Sequence, residues 1–433
     1  METELAGNPP EADRKRPLVI RGGVEVGALR DDARNDLVAL LALGLRLDNV
    51  GIFLGAGASC GAGGMTMRRI WQAFASSSPN SITWLRANGI LPATDDPKNP
   101  PNVEAIATRL DLHIEVYRST GDPKLKDALS HRAAIQRATM KAAILDDELW
   151  QKNASSVDPT YLRLADHSRL LARLLGSRQP GQNAPWVFTT NYDLAIEWAA
   201  ERLGIHVVSG FSGIHFRRFD PSSFDLGLMN LQGRGEARFG TYNLFLAKLH
   251  GSLSWLQVGD DLIERPAREA WPGISAFLSG GQDDPGATVI LPSTAKYVDT
   301  LGFVYGEMLR RFSEFMSRRS TLLIISGYAF GDDHINRLIL SGLRNPTLQL
   351  VIYLPELVSA ATMPSVVVGM LNALKTKQVV LVGGGNEAWF GKVASDLPDP
   401  GQFDTTAEDA RRLARTIAAL DIAATDGSPK SAI

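Results

Sequence analysis

Short apolar runs recur along this chain, and most are unbroken rather than alternating. They lie at 50–54, 186–190, 206–209, 244–248, 288–291, 321–325, 348–354 and 378–382. A strand covered on both faces reads this way, because neither face meets water. Helix-like stretches separate several of these runs, at 194–203 and 335–343 among them. The alternation predicts an α/β fold built on a doubly wound, mainly parallel, Rossmann-like sheet.

Other segments follow a helical period. Apolar positions predict helices at 36–45 and 66–74, before and after the first run. Between 80 and 185 the strand signal disappears. Ile135, Ala138, Ala142, Leu145 and Leu149 recur at three- and four-residue steps, the apolar face of one helix. Residues 161–164 and 170–175 are helix-like too, so 80–185 reads as a helical insertion. Residues 1–30 are polar and broken by Pro and Gly, and read as a loosely held arm. The sheet domain then comprises 31–79 and 186–395. In 396–433 a helix starts at Thr406 and carries Leu413, Ile417 and Leu420, ahead of a disordered tail. No internal repeat is visible.

Composition narrows the class. The chain has 433 residues, 44% hydrophobic and 21% charged, with a formal net charge of −2. These are the proportions of a soluble globular protein, and the charge gives no sequence-wide grip on nucleic acid. Arg310-Arg311 and Arg318-Arg319 read as a solvated helix face. No uncharged apolar run reaches the roughly 20 residues that span a bilayer. The acidic, proline-containing start lacks the pattern of a signal peptide. Cys60 is the single cysteine, which excludes an intrachain disulfide framework. The expectation is a cytoplasmic protein with no membrane contact and no direct nucleic-acid binding.

Four segments carry candidate chemistry. Gly55-Ala-Gly-Ala-Ser59 follows the first strand, where glycines let backbone amides approach a pyrophosphate. Tight turns need glycine for steric reasons as well. A P-loop is excluded, since no Gly-Lys-Ser/Thr ends the turn. A dehydrogenase fingerprint is disfavoured: position 60 is cysteine, and no Asp or Glu occurs between Gly57 and Asp95 to hold the ribose.

Thr189-Thr-Asn-Tyr-Asp193 ends a strand and opens a helix. Asp193 suits the helix N-cap, with Gly204 closing that helix. Capping does not explain Asn191, which can present both donor and acceptor to a ribose or to water. Thr190 stands beside it.

Lys248-Leu-His-Gly-Ser252 places His250 past another strand. Gly251 removes steric cover, Ser252 can orient the ring, and histidine titrates near neutrality as a general base must. Among seven histidines it alone stands at a strand end beside other motifs. After the clearest strand, Ser326 and Gly327 can approach ribose or phosphate, with Tyr328, Asp332 and Asn336 next. Asp332 or Asp333 caps the following helix. Gly384, in Gly383-Gly-Gly-Asn386, borders an adenine or simply makes a permissive turn.

In this order, the four segments resemble the NAD-binding core of the sirtuin family, and more closely the sirtuin-like domains of bacterial anti-phage defence proteins. The resemblance covers about 45–75 and 185–395. It implies that Asn191 and His250 are the catalytic residues of NAD+ cleavage. It implies that Gly55, Ala56, Gly57 and Ser59 hold NAD+, together with Thr190, Asp193, Gly251, Ser252, Ser326, Gly327, Tyr328, Asp332, Asn336 and Gly384. Deacylating sirtuins carry two cysteine pairs for zinc after the His-Gly segment, and here no cysteine follows Cys60. Their Pro-Asp-Phe-Arg segment is replaced by Gly64-Met-Thr-Met-Arg68, in which Arg68 fills part of that role.

The resemblance therefore implies an NAD+ hydrolase without zinc, taking NAD+ as substrate and releasing nicotinamide and ADP-ribose. It implies a homo-oligomeric effector of abortive infection, gated by assembly or by a separate partner. A HerA-type ATPase suits that partnership better than a short Argonaute. The alternatives are an NAD-dependent protein deacylase or ADP-ribosyltransferase, and a non-catalytic NAD or ADP-ribose scaffold. Linear and cyclic ADP-ribose are both open as products. The insertion either makes subunit contacts or covers the NAD site.

Overall fold

The computed structural model describes residues 18–21, 24–26, 33–94, 101–151, 159–179, 181–235, 241–281, 300–357, 365–374 and 378–399. In chain order the strands are β1 (Leu18–Arg21), β2 (Val24–Val26), β3 (Asn49–Leu54), β4 (Trp186–Thr189), β5 (His206–Val208), β6 (Phe211–Ser212) and β7 (Arg217–Phe219). They continue as β8 (Asn243–Lys248), β9 (Trp255–Val258), β10 (Asp261–Glu264), β11 (Thr321–Ser326), β12 (Leu348–Tyr353) and β13 (Val379–Gly383).

A nine-stranded sheet has the order β2-β1-β13-β12-β11-β3-β4-β8-β5. All neighbours from β13 to β5 pair in parallel. Every residue of β3 and β11 is buried, as unbroken apolar runs require. Successive side chains alternate between faces. Leu323 and Ile325 join Phe312 and Phe315 of the helix Thr300–Ser317. Leu322 and Ile324 join Leu41 of the helix Ala33–Gly44 and Leu170 and Leu174 of the helix Ala165–Gly176. The sheet is thus doubly wound, with each fully buried Leu, Ile or Phe worth about 1.5–3 kcal/mol.

Strand order reverses between β3 and β11. The chain moves outward from β3 through β4 and β8, then returns to lay β11 on the opposite side of β3. Such a switch point opens a crevice beyond the carboxyl ends of the strands. The residues after β3, β4, β8 and β11 are those that carry the four segments.

Three features differ from the sequence reading. Residues 18–21 and 24–26, inside the expected arm, extend the sheet: β1 pairs antiparallel with β13, and Val19 and Ile20 are buried. The helical run from Ile135 to Leu149 breaks after Leu125–Ala143, and Leu145 has a φ of +64°. Ile135 and Ala142 therefore face the core of the insertion, while Leu145 and Leu149 turn toward Trp150, Trp198 and Phe277. A second, antiparallel sheet (β6-β7-β10-β9) was not foreseen, its strands being too short to carry a pattern. The expected strand at 288–291 and the helix from Thr406 lie outside the described residues.

The helices Val103–Thr120 and Leu125–Ala143 pack with Ile70, Trp71 and Phe74 of the helix Met67–Ser77 around a separate apolar cluster. Thr66 caps that last helix, its hydroxyl accepting the Arg69 N–H at 3.4 Å. Among the described residues no helix is long and apolar enough to cross a membrane.

Candidate active site

The floor of the crevice is backbone laid on backbone. The Gly55 N–H donates to the Ser326 carbonyl at 3.0 Å, and the Gly57 N–H to that of Gly327 at 2.9 Å. A Cβ on Gly57 would stand 2.8 Å from the Gly327 Cα. One on Gly327, whose φ is +68°, would stand 2.2 Å from the Ala58 nitrogen. The glycines are thus needed for the seam itself. Past it the chain makes a 3₁₀ turn, Ala56–Ala62.

Beside the floor, Thr189 ends β4 and its hydroxyl ties two strands, donating to the Leu54 carbonyl and accepting the Asn191 N–H, both at 2.9 Å. Asn191 Nδ2 then donates to the Gly55 carbonyl and to Ser59 Oγ, each at 3.0 Å. Ser59 Oγ donates in turn to Asp193 Oδ2 at 2.6 Å. Asp193 Oδ1 accepts the N–H of Ala195, the first residue of the helix Ala195–Arg202, and Gly204 follows that helix with φ +66°. With its amide nitrogen engaged, Asn191 leaves Oδ1 without a hydrogen bond among the described residues.

Lys248, the last residue of β8, is buried beneath these loops. Its Nζ donates to the Asp193 carbonyl, to Glu197 Oε1 at 2.7 Å and to Ser252 Oγ at 3.1 Å. It thereby fixes the Asn191 loop to the His250 loop. Two residues on, His250 Nε2 meets Asp332 Oδ2 at 3.0 Å. Oδ1 of the same carboxylate accepts the N–H groups of His334 (2.8 Å) and Ile335 (3.2 Å), capping the helix Asp333–Gly342. Asp332 is therefore the capping aspartate. Because the carboxylate only accepts, Nε2 carries the hydrogen and Nδ1 is left as the acceptor.

Charge organises this end of the crevice. Burial alone would push the His250 imidazole down, but the hydrogen bond to Asp332 and the charges of Glu104 and Asp332 prevail and raise it. Burial works the other way on Asp332, and there the bond from His250, its charge and the capping N–H groups hold the carboxyl below its usual range. Burial raises Glu104, against the pull of His250 and with the push of Asp332. Burial also raises the Cys60 thiol, which stays protonated and donates to the Ala56 carbonyl.

His250, Asp332 and Glu104 line one cavity of about 650 Å³, within the range of small-molecule sites. Of the expected residues, Ala56, Gly57, Ser59, Thr190, Asn191, Asp193, His250, Gly327, Tyr328 and Asp332 line it. Gly55 lies just beneath, under the Asn191 amide. Gly251, Ser252, Ser326, Asn336 and Gly384 are outside the lining. Ser252 is fully buried, bonded to Lys248 and Ser254, so Asp332 and not Ser252 orients the His250 ring. Ser326 is buried under the floor. Asn336 stands behind Tyr328, taking its hydroxyl at 3.0 Å and donating to the Phe330 carbonyl. Gly384 precedes the turn that leads to Ala388, Trp389 and Phe390, which do line the far end. Arg68 also lines the cavity.

Residues 185–356 match the SIR2-like domain family. A domain of that family implies NAD+ binding. The match contains Asn191, His250 and Asp332; the Gly55–Ser59 turn reaches the same cavity from outside it. No curated protein matches the chain.

The cavity suits the nucleotide in its chemistry. The glycine floor allows close approach, acceptors without a hydrogen bond among the described residues stand at Asn191 Oδ1 and His250 Nδ1, and Trp389 and Phe390 add an aromatic wall. Among the described residues no group of three or more His, Cys, Asp or Glu is placed to hold a metal ion.

The insertion forms the roof. Pro101, Asn102, Glu104, Thr139, Ala142 and Ala143 all line the cavity, so of the two roles open to this segment, the described residues carry the cover over the site. Sequence reasoning missed Glu104. Its signal is that of any acid in a first helical turn, and only the fold turns it inward.

Proposed function

We propose that this protein is an NAD+ hydrolase that cleaves the bond between nicotinamide and ribose. The observation behind this reading is the placement of Asn191 and His250 after adjacent strands, β4 and β8, facing one cavity beside a glycine turn. A binding scaffold needs neither a histidine held by a carboxylate nor an asparagine with a spare oxygen.

In this mechanism the C–N bond breaks and its electron pair leaves on the ring nitrogen, neutralising the pyridinium. Positive charge develops on ribose C1 and the ring oxygen. Water attacks that carbon, and its proton passes to His250 Nδ1 and then to solvent. Asn191 Oδ1 orients the water or a ribose hydroxyl. NAD+ and water thus give nicotinamide, ADP-ribose and a proton. The Cys60 thiol, raised by burial and pointed at a carbonyl, takes no part.

Unchecked, this activity would drain a cofactor that every cell needs. We therefore read the protein as a cytoplasmic toxic effector of anti-phage abortive infection, released by self-assembly or by a separate partner, a HerA-type ATPase in preference to a short Argonaute.

The test is nicotinamide release from NAD+ by the purified protein, alone and with co-expressed partner, beside His250→Ala and Asn191→Ala. Release by the parent and by neither variant supports hydrolysis. NAD+ binding without release in either setting would overturn it in favour of a scaffold.

A further inference from the structure

The roof brings a carboxylate to the reactive end of the cavity. Glu104 lies in the first turn of Val103–Thr120, where Asn102 caps the helix by accepting the Glu104 N–H at 2.9 Å. An acid in a first turn ordinarily faces water and favours the helix dipole. This one lines the cavity with His250 and Asp332, half-buried, its Oε1 3.5 Å from the Tyr192 hydroxyl. Tyr192 is itself buried and directly follows Asn191. The helix does not need the side chain: the Asn102 cap and the buried face of Val103, Ile106, Ala107 and Leu110 account for it.

We propose that Glu104 is a catalytic carboxylate of this site, the counter-charge that the insertion holds beside the ribose carbon from which nicotinamide departs. The proposal rests on the reading of the cavity as an NAD+ hydrolase site. Before cleavage the substrate's positive charge lies on the pyridinium, and during cleavage it moves onto the ribose. A fixed carboxylate sheltered from water stabilises that moving charge more than solvent can.

The neighbouring groups leave this task to Glu104. Both oxygens of Asp332 are engaged, one by His250 and one by the helix cap. Burial raises the Tyr192 and Tyr328 phenols, which stay neutral. Glu104 has one weak bond and a second oxygen with no hydrogen bond among the described residues. Burial raises its carboxyl in the free protein, and an incoming cation favours the ionised form. In this scheme Glu104 forms no bond to carbon, and the hydrolysis balances as written above.

The test compares full-length parent, Glu104→Gln and Glu104→Asp. Calorimetry gives the Kd of each for NAD+, for NADH and for ADP-ribose, which has no pyridinium. The parent should prefer NAD+ to NADH, and the Gln variant should lose that preference while its ADP-ribose affinity changes less than about threefold. Its kcat for nicotinamide release should fall about 10²-fold, with partial recovery in the Asp variant.

A Gln kcat within threefold of the parent, an NAD+ preference absent from the parent or unchanged by Gln, or an equal loss of ADP-ribose affinity overturns the proposal. If the parent releases no nicotinamide either alone or with the co-expressed partner, the hydrolase reading fails and the binding arm decides alone. A preference lost in the Gln variant then keeps Glu104 as the counter-charge of the bound ring, and a preference retained removes it.

Discussion

His250 and Asp332 stand 82 positions apart and share a hydrogen bond of 3.0 Å, while the second oxygen of that carboxylate starts a helix. One side chain therefore holds both the imidazole and the backbone that follows β11. The two duties can be separated by chemistry, because asparagine caps a helix about as well as aspartate.

Asp332→Asn should keep the fold and lose the charge. In the proposed mechanism the base is neutral imidazole, so a raised pKa means that activity fails at a higher pH on the acid side. Removing Asp332 should move the acid limb of kcat/KM toward lower pH and lower the plateau about 10²-fold. Stability follows the same pair. The raised His250 contributes below its unfolded pKa and is lost as pH rises through the folded value; the depressed Asp332 contributes above its unfolded pKa and is lost as pH falls. The difference in Tm between parent and variant should be largest at about pH 4–6.5, a window that thermal melts across pH will check.

Ser59→Ala should weaken the site through Asn191. Ser59 Oγ accepts from Asn191 and donates to Asp193 Oδ2. Without the hydroxyl a buried carboxylate oxygen loses its partner, at about 1–3 kcal/mol. Nicotinamide release should fall at least about tenfold through a loosened Asn191, read as kcat with KM little changed.

Lys248→Met should destabilise severely. It strands Glu197, whose Oε2 is already buried without a hydrogen-bond partner. Breaking such a pair costs on the order of 3 kcal/mol. Removing the stranded charge as well, in Lys248→Met with Glu197→Leu, should recover most of the loss in denaturant unfolding.

Gly327→Ala should both destabilise and abolish nucleotide binding, since the new methyl meets the Ala58 nitrogen at 2.2 Å on a left-handed backbone. Strain of that kind costs at least about 1–3 kcal/mol. Gly331→Ala serves as the control. It lines the same cavity, yet a Cβ there meets no atom within 4 Å, and its melting should stay within about 0.5 kcal/mol of the parent.

Much of the sheet was legible because burial on both faces leaves no polar position to blur a strand. Runs at 50–54 and 321–325 fall within one residue of β3 and β11. Asn191 and His250 stood out because a strand end is where the chain leaves the core with chemistry in hand. What could not be read depends on distant segments meeting. Ser252 neighbours His250 in sequence, yet Asp332 holds the ring; nothing local marks Glu104 as inward-facing. Leu145 ends a helical period through its backbone angle, which an apolar pattern does not encode. Strand β1 exists because β13 offers it an edge, and that edge lies at the other end of the chain.

At Gly57 and Gly327 the two halves of the sheet touch main chain to main chain, with no side chain between them. A seam of that kind has no rotamers to rearrange, and parting it would break the Gly57–Gly327 hydrogen bond. The floor is therefore the fixed side of the cavity. The roof packs both ways, with Ala142 in the insertion's own apolar cluster and Ala143 in the one around Tyr192 and Trp198. On the proposed mechanism, what the roof adds to that fixed floor is the position of a single carboxyl group.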